Sequence, residues 1–306
     1  MEILNGIDIC ICTYNRVEYL KQCVELLVPQ LSSPHVDLTI IDNNSSDNTR
    51  GYVQSLILKN IPLRYFLESS QGISHARNRG WKESRRDWIL YIDDECLPPP
   101  NLLAEAFNSI QEHGTVAAMG GPIYAVHSFT PPSWLPDGFG DFKMPYDHFT
   151  IIDRGYIRCG CFLIQNEILR QLGGFKPELG MKGYTLAYGE ELELQDRLRA
   201  AGYKIGYAPT LKIGHQVRIE KINTKWILHS EYARRRDKMA FAPIGIGSAL
   251  AGILRTSGGR IIHAPVYAFK LLLKKDYTLN HAILDFTKPL MYRYGEFAGV
   301  LKKNFR

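Results

Sequence analysis

Four short apolar runs separated by helix-like stretches constrain this chain more than any other feature. Ile7-Asp8-Ile9-Cys10-Ile11-Cys12, Asp37-Leu38-Thr39-Ile40-Ile41, Leu63-Arg64-Tyr65-Phe66-Leu67 and Trp88-Ile89-Leu90-Tyr91-Ile92 read as strands. Between them Tyr19, Leu20, Cys23, Leu26 and Leu27 recur at helical spacing, and a second helix starts near a Ser46 or Asp47 cap. Gly72 to Ser84 reads as a third helix, with Ile73, Ala76 and Trp81 facing inward. Strands alternating with helices in this order predict a largely parallel sheet with right-handed crossovers. Ligands on such sheets bind beyond the carboxyl ends of the strands. Thr13–Arg16, Asp42 and Asp93–Glu95 stand at those ends, so they should converge.

The last of these ends is the most demanding. Asp93-Asp94-Glu95 leaves an apolar strand, and Pro98-Pro99-Pro100 stops any continuation. Three like charges packed together need a cation among them, and hard divalent ions such as Mg²⁺ and Mn²⁺ prefer carboxylate oxygens. A solvated acidic turn would also accommodate them. Asp42 suits a hydrogen bond to a base or ribose, Arg77 suits a phosphate, and the acidic helix start Gly189-Glu190-Glu191 suits a general base. Together they fit a metal-bridged nucleotide diphosphate. The chain has no G-x-G-x-x-G after its first strand and no G-x-x-x-x-G-K-[ST], which argues against nicotinamide or flavin Rossmann domains and against P-loop enzymes.

Charge is unevenly distributed. The chain of 306 residues carries 37 Lys/Arg and 31 Asp/Glu, a net +6. From Lys225 onward there are 15 basic and 5 acidic residues, which leaves 22 basic against 26 acidic in the rest. The basic tail predicts an anionic partner, a membrane surface or a polyanion. Met1–Asn5 shows no secretory signal, and six cysteines in such a chain predict free thiols in a reducing, cytoplasmic setting. Cys10/Cys12 and Cys159/Cys161 read as same-face pairs on strands, acting as small hydrophobes rather than zinc ligands.

Downstream of Pro100 a helix runs from Leu102 to His113, and Val116–Gly121 follows it. The stretch from Ser128 to Phe149, rich in Pro, Gly and aromatics, is too long for an ordinary connection and reads as a functional loop. Its Trp134 and Tyr146 either stack on a sugar or fold the loop. Arg158–Ile164 reads as a strand, with a helix to Leu172 after it. A helix beginning near Glu190 stops at Gly202, Lys204–Tyr207 is a short strand, and Pro209–Gln216 carries His215. From Asn223 the chain reads as helices. Met239–Leu254 has no charge over 16 residues but is interrupted by Pro243 and glycines, and it falls short of the ~18–20 residues that span a bilayer. It reads as a membrane-surface or re-entrant element, or as a buried helical hairpin.

Several of these stretches together carry a resemblance. Thr13-Tyr14-Asn15-Arg16, Asp42-Asn43-Asn44-Ser45-Ser46-Asp47-Asn48-Thr49, Gly72-Ile73-Ser74-His75-Ala76-Arg77-Asn78-Arg79-Gly80, Gly173-Gly174-Phe175 and Gly189-Glu190-Glu191 through Arg197-Leu198, then Pro209 and His215, stand in order. From Ile7 to about Val217 the chain resembles the family 2 glycosyltransferases of the GT-A fold found in bacterial polysaccharide assembly. The resemblance implies an α/β fold, a Rossmann-like mostly parallel sheet flanked by helices, with a C-terminal helical extension. It implies that Thr13, Tyr14, Asn15 and Arg16 lie against a nucleotide, that Asp42 reads the uracil with Asn44 beside it, and that Arg77, Asp93 and Asp94 face the diphosphate sugar. It implies a divalent ion, Mn²⁺ or Mg²⁺, on Asp93, Glu95 and His215, and Glu191 or Glu190 as general base. The metal motif here is D-x-E where the family's is D-x-D, and Glu191 stands where the family has aspartate.

The implied reaction is inverting transfer of a sugar from a nucleotide donor, a UDP-sugar, to a hydroxyl of a glycan or lipid-linked acceptor. Nucleic acid is not an expected partner. The expected division is a transferase domain over 1–222, with a nucleotide-binding half 1–97 and an acceptor half 98–222, and a basic extension 223–306 that meets anionic membrane. A catalytically silent nucleotide-sugar or glycan-binding module on the same fold is the alternative. A sugar-nucleotide pyrophosphorylase is disfavoured, because the glycine-rich basic opening loop is absent.

Overall fold

The computed structural model describes residues 6–304, so Met1–Asn5, and with them the reading of the N-terminus, lie outside the described residues. The chain forms two compact units: one of residues up to Val126 with Gly140–Gly183 and Glu190–Gln216, the other of His127–Phe139, Tyr184–Gly189 and the chain from Val217.

In the first unit the elements run β1 (Ile7–Thr13), α1 (Val17–Leu27), β2 (Val36–Asp42), α2 (Thr49–Leu58), β3 (Leu63–Leu67), α3 (Ile73–Glu83), β4 (Trp88–Asp93), β5 (Cys96–Leu97) and α4 (Leu102–His113). They continue as β6 (Ala118–Gly120), β7 (Ile123–Val126), β8 (Thr150–Ile151), β9 (Phe162–Gln165), α5 (Asn166–Gln171), α6 (Glu190–Ala200), β10 (Ile205–Tyr207) and β11 (Ile213–Gln216). The main sheet has the order β3-β2-β1-β4-β9-β6-β10-β8, and a small sheet has the order β5-β11-β7. β3 through β4 are parallel, as the alternation predicts. β9 runs antiparallel to both β4 and β6, and β8 antiparallel to β10, so the sheet is mostly rather than wholly parallel.

β1 is buried along its whole length. Its alternation divides two cores: Ile7, Ile9 and Ile11 pack with Leu20, Leu27 and Ile110, while Cys10 and Cys12 pack with Ala76, Trp81 and Leu198. Each fully buried Ile contributes about 1.5–3 kcal/mol of hydrophobic stabilisation. α3 presses on β1 at Gly80, where a Cβ would lie 2.3 Å from the Cys10 sulfur. At the amino end of the sheet Asp8 is fully buried, accepting from Thr39 Oγ1 at 2.8 Å and from Arg64 Nη2 at 2.6 Å. Arg64 also donates to the Glu83 carbonyl, and Arg86 pairs with Asp37 at 2.8 Å.

Two local expectations are corrected. Cys159–Cys161 is a 3-10 turn, and the strand starts only at Phe162. Gly160 sits where a Cβ would come within 2.9 Å of Ile123, so the chain there is packed as a turn rather than paired as a ladder. α2 starts at Thr49, with Asn48 as a cap that makes no side-chain bond. Asp47 accepts from Thr49 N at 3.1 Å and from Val17 N at 2.9 Å, so it ties the start of α2 to the start of α1. Ser46 instead donates to Asn15.

The second unit is built on α7 (Thr224–Lys238), α8 (Ile246–Leu273) and α9 (Leu279–Asn304). α9 crosses α7 closely at Gly295 and Gly299, where a Cβ would meet the carbonyl oxygens of Tyr232 and Arg236 at 2.3 Å. Leu135, Ile227 and Leu284 form a small core with Trp134 and Phe139 against it, so Trp134 folds its loop. Tyr188 holds this unit to itself through Tyr188 N to Asp237 Oδ2 at 3.0 Å and its hydroxyl to Ser230 at 2.9 Å. Met239 is buried with Ala249 and Val300, and the helix begins only at Ile246, which breaks the uncharged stretch in two. Among the described residues no helix is long and apolar enough to cross a membrane.

Candidate active site

Register assembles the site. β1 pairs in parallel with β2 and β4, placing Thr13 opposite Asp42 and Cys12 opposite Asp93. The polar residues that end these strands therefore stand side by side on the carboxyl edge, as expected from the sequence.

On one side is Asp42, buried, with Oδ1 accepting from Ser45 N at 2.8 Å and Oδ2 from the Tyr65 hydroxyl at 2.7 Å. Asn44 is exposed in a left-handed conformation, φ 65°. Asn15, also left-handed at φ 51°, clasps the same loop by accepting from Ser46 N at 2.6 Å. Asn43 is buried and ties three segments: its N–H donates to the Thr13 carbonyl at 2.9 Å, and its side chain accepts from Gly72 N at 2.8 Å and donates to the Ser70 carbonyl at 2.8 Å. Tyr65 and Asn43 are site residues that the sequence reading passed over. Parallel pairing sets Tyr65 beside Ile40, two residues before Asp42 on the same face, which is the signal that could have found it.

In the middle stand the three acids, and each faces a different way. Asp94 turns inward, accepting from Thr13 Oγ1 at 2.8 Å and from Arg16 Nη1 at 3.1 Å. Burial raises its carboxyl above the ordinary value against the pull of Arg16. Thr13, Arg16 and Asp94 thus form a hydrogen-bonded set, which Arg16 extends to Glu95 at 3.8 Å. Glu95 reaches His215, Oε1 to Nε2 at 3.0 Å, because β5 and β11 pair with His215 opposite Cys96. Asp93 keeps 37% of its side chain accessible and meets Arg77 Nη2 at 3.2 Å. Tyr14 lies near Gly183, whose Cβ would be 3.8 Å from its ring.

On the far side Arg77 is buried and bridges two acids, Asp93 and, at 2.6 Å, Glu190 Oε1. The guanidinium expected to face a phosphate is thus engaged with carboxylates. α3 is held in place by Ile73 N to the Met181 carbonyl at 2.9 Å and by Asn78, which accepts from Phe175 N at 2.8 Å. Burial pushes Glu190 up to about 8, with Glu191 adding to the rise and Arg77 opposing it. Glu191 lies 3.8 Å from Arg158, a residue no sequence signal marked. Arg77 therefore pins Glu190, while Glu191 has the looser partner of the two.

Whether these residues suit a divalent ion turns on the donor set. Asp93, Asp94, Glu95, Glu190 and Glu191 are linked by ion pairs to Arg16, Arg77 and Arg158, five carboxyls against three guanidiniums. With Nε2 on Glu95, His215 keeps a buried Nδ1 that has no hydrogen-bond partner. Among the described residues no three His, Cys, Asp or Glu side chains form a ready cage. Surplus carboxylate and an incomplete cage fit a cation that completes its shell on substrate phosphates and water.

A family model, Glycosyl transferase family 2, matches residues 8–173. The succinoglycan biosynthesis protein ExoM of Rhizobium meliloti is 26% identical over 230 residues, covering 72% of this chain and 70% of that protein. The mannosyltransferase PcManGT of Pyrobaculum calidifontis, in complex with GDP-Man and Mn²⁺, superposes with a TM-score of 0.57 at 16% identity, over 76% of this chain and 63% of that one. S. aureus TarS 1-349 in complex with UDP superposes with a TM-score of 0.54 at 15% identity, over 98% of this chain and 92% of that one. The two structures share the GT-A fold with this chain, and TarS extends the likeness through the helical C-terminal region. Strand order, the acidic carboxyl edge and the family match lead to one conclusion: the chain belongs to glycosyl transferase family 2 and is a glycosyltransferase.

Proposed function

We propose that this enzyme transfers a sugar, with inversion, from a uridine diphosphate sugar to a hydroxyl of a glycan or lipid-linked saccharide, through a transferase domain of residues 1–222. The observation that carries this reading is the side-by-side placement of Asp42, Asp93 and the Glu190–Glu191 start of α6 around one edge. Asp42, held by Tyr65 and Ser45, presents carboxylate lone pairs to a base N–H. Thr13, Tyr14, Asn15, Arg16 and Asn44 shape the nucleotide side, with Asp94 fixing Thr13 and Arg16 from beneath.

Glu191 is proposed as the general base that takes the acceptor hydroxyl's proton while the acceptor oxygen attacks the anomeric carbon and the bond from that carbon to the nucleoside diphosphate breaks, releasing the diphosphate. Glu190, buried and held by Arg77 at 2.6 Å, is suited to positioning rather than to accepting that proton. Arg77 keeps α6 and the strand end of Asp93 in register. Asp93, Glu95 and His215 would hold Mn²⁺ or Mg²⁺. When bound, such an ion neutralises charge on the departing diphosphate.

The test is donor turnover. Release of a nucleoside diphosphate from UDP-sugars with Mn²⁺, lost on adding a chelator, is expected. A second reading is supported by the engagement of Asp93 with Arg77 and of Glu95 with His215: a silent module that binds the donor without cleaving it. Tight donor binding with no diphosphate released, across a panel of nucleotide sugars with Mn²⁺, would establish that reading instead.

A further inference from the structure

α8 is a helix of 28 residues with two unlike faces. One face bears buried Ala249 and Gly252, and Arg260 turns toward α9, donating to the Asp285 carbonyl at 3.1 Å and to Tyr267 at 2.7 Å. The other face is apolar and exposed. Leu250, Leu254, Ile261, Pro265 and Leu272 follow one another at spacings of four and seven residues, which is one stripe of a helix. Leu254 is 73% exposed, Ile261 69% and Leu272 83%, with Phe269 beside them at 63%. A continuous apolar stripe of this kind marks an interaction surface rather than scattered surface hydrophobes.

The charge around the stripe indicates what covers it. From Lys238 to Lys275 the sequence has six Lys/Arg and no Asp or Glu. Arg255, Lys274 and Lys275 are exposed. A second copy of the chain would bring two such positive faces together, and against six cations the stretch through Asp276 offers a single acid to pair them. The helix is also not long and apolar enough to cross a bilayer. An apolar stripe edged by cations, on a helix that does not span, is the pattern of a helix lying in the plane of an anionic lipid surface.

We infer that α8 docks this protein on anionic membrane, with Leu250, Leu254, Ile261, Phe269 and Leu272 entering the acyl boundary and Arg255, Lys274 and Lys275 meeting lipid headgroups. This narrows the expected membrane contact from the whole basic extension to one helix face, and it is independent of the transfer chemistry.

Cosedimentation of the full chain with vesicles tests it, and the readout uses no transfer activity. Vesicles of phosphatidylglycerol and phosphatidylcholine are expected to bind the protein at least tenfold more tightly than phosphatidylcholine alone, and less tightly as salt rises. Two variants should each lose at least tenfold on the mixed vesicles: Leu254→Ser with Ile261→Ser and Leu272→Ser, and Arg255→Gln with Lys274→Gln and Lys275→Gln. Because all six side chains are solvent-facing, both variants should keep the parent's melting temperature and helix content. No binding by the parent, or binding unchanged in both variants, overturns the inference. So does a vesicle-free dimer of the parent that the apolar variant abolishes, since a second copy would then cover the stripe.

Discussion

Strand β1 joins two ends of the sheet that use the same three residue types to opposite purpose. At its amino end Asp8 is held by Thr39 and Arg64; at its carboxyl end Asp94 is held by Thr13 and Arg16. Each trio is an aspartate turned inward, a threonine hydroxyl at 2.8 Å and a guanidinium. The amino end is balanced, with Asp8 and Asp37 against Arg64 and Arg86. The carboxyl end is not, with five linked carboxyls against three guanidiniums. A buried charge trio is therefore by itself no sign of function. What separates scaffold from site is the charge left over after the trio has closed.

Substitutions at the two ends should differ in effect, and the largest effect is expected at Glu191. Glu191→Gln should lower kcat by about 10²–10⁴ with nucleotide binding nearly unchanged, whereas Asp8→Asn at the balanced end should leave kcat within about twofold. Full activity of the Glu191 variant would end its assignment as the base. Next is Arg77→Ala, which leaves Glu190 and Asp93 without their shared partner and should cost about 3–5 kcal/mol in urea unfolding. Arg64→Ala, whose side chain is 26% exposed, should cost less, roughly 1–3 kcal/mol. Equal costs would mean that the two ends are equally strained.

Third is pH. Burial pushes Asp8 up to about 6 from the usual 3.8, against the pull of Arg64. The folded state therefore holds this proton more tightly than the unfolded chain does. The associated stability is fully present below about pH 3.8 and is lost as pH rises through about 6. A rise of about two pKa units corresponds to about 3 kcal/mol. The gap between wild-type and Asp8→Asn unfolding midpoints, measured from pH 3.5 to 7, should change by that order across this window; parallel curves would contradict it. The smallest effect is expected at Tyr65. Tyr65→Phe removes one hydrogen bond from Asp42, worth about 1 kcal/mol, and should raise donor KM about fivefold with kcat unchanged. A fall in kcat alone would place Tyr65 in the chemistry instead.

Legibility followed sequence distance and periodicity. β1, β2 and β4 could be read because apolar alternation and helical spacing are local, and the parallel rule then brought Thr13, Asp42 and Asp93 together without any coordinates. The direction each acid faces could not be read. Asp93 ends the strand, and the turn after it sends Asp94 inward to Thr13 and Glu95 across to His215, a partner supplied by a strand far along the chain. The partner of Arg77 lies 113 residues away in Glu190, so this ion pair had no local signal. The antiparallel insertion of β9 is likewise a long-range pairing with no local signature. Trp134 looked equally suited to sugar stacking and to folding its loop, because only the Leu135–Ile227–Leu284 cluster distinguishes the two.

The in-register pairing of β2, β1 and β4 also makes the sheet a ruler. Asp42 and Asp93 flank β1 on neighbouring strands, two inter-strand steps apart, or roughly 10 Å. Backbone hydrogen bonds set that interval, so no side-chain replacement within the strands can lengthen or shorten it, and a slip of one residue would turn both carboxylates to the wrong face. On the proposed reading, a nucleotide-sugar donor is gauged by its length between base and diphosphate before its sugar is met. On that reading, variation in the donor has room only beyond the end of the ruler, in the loops that would meet the sugar.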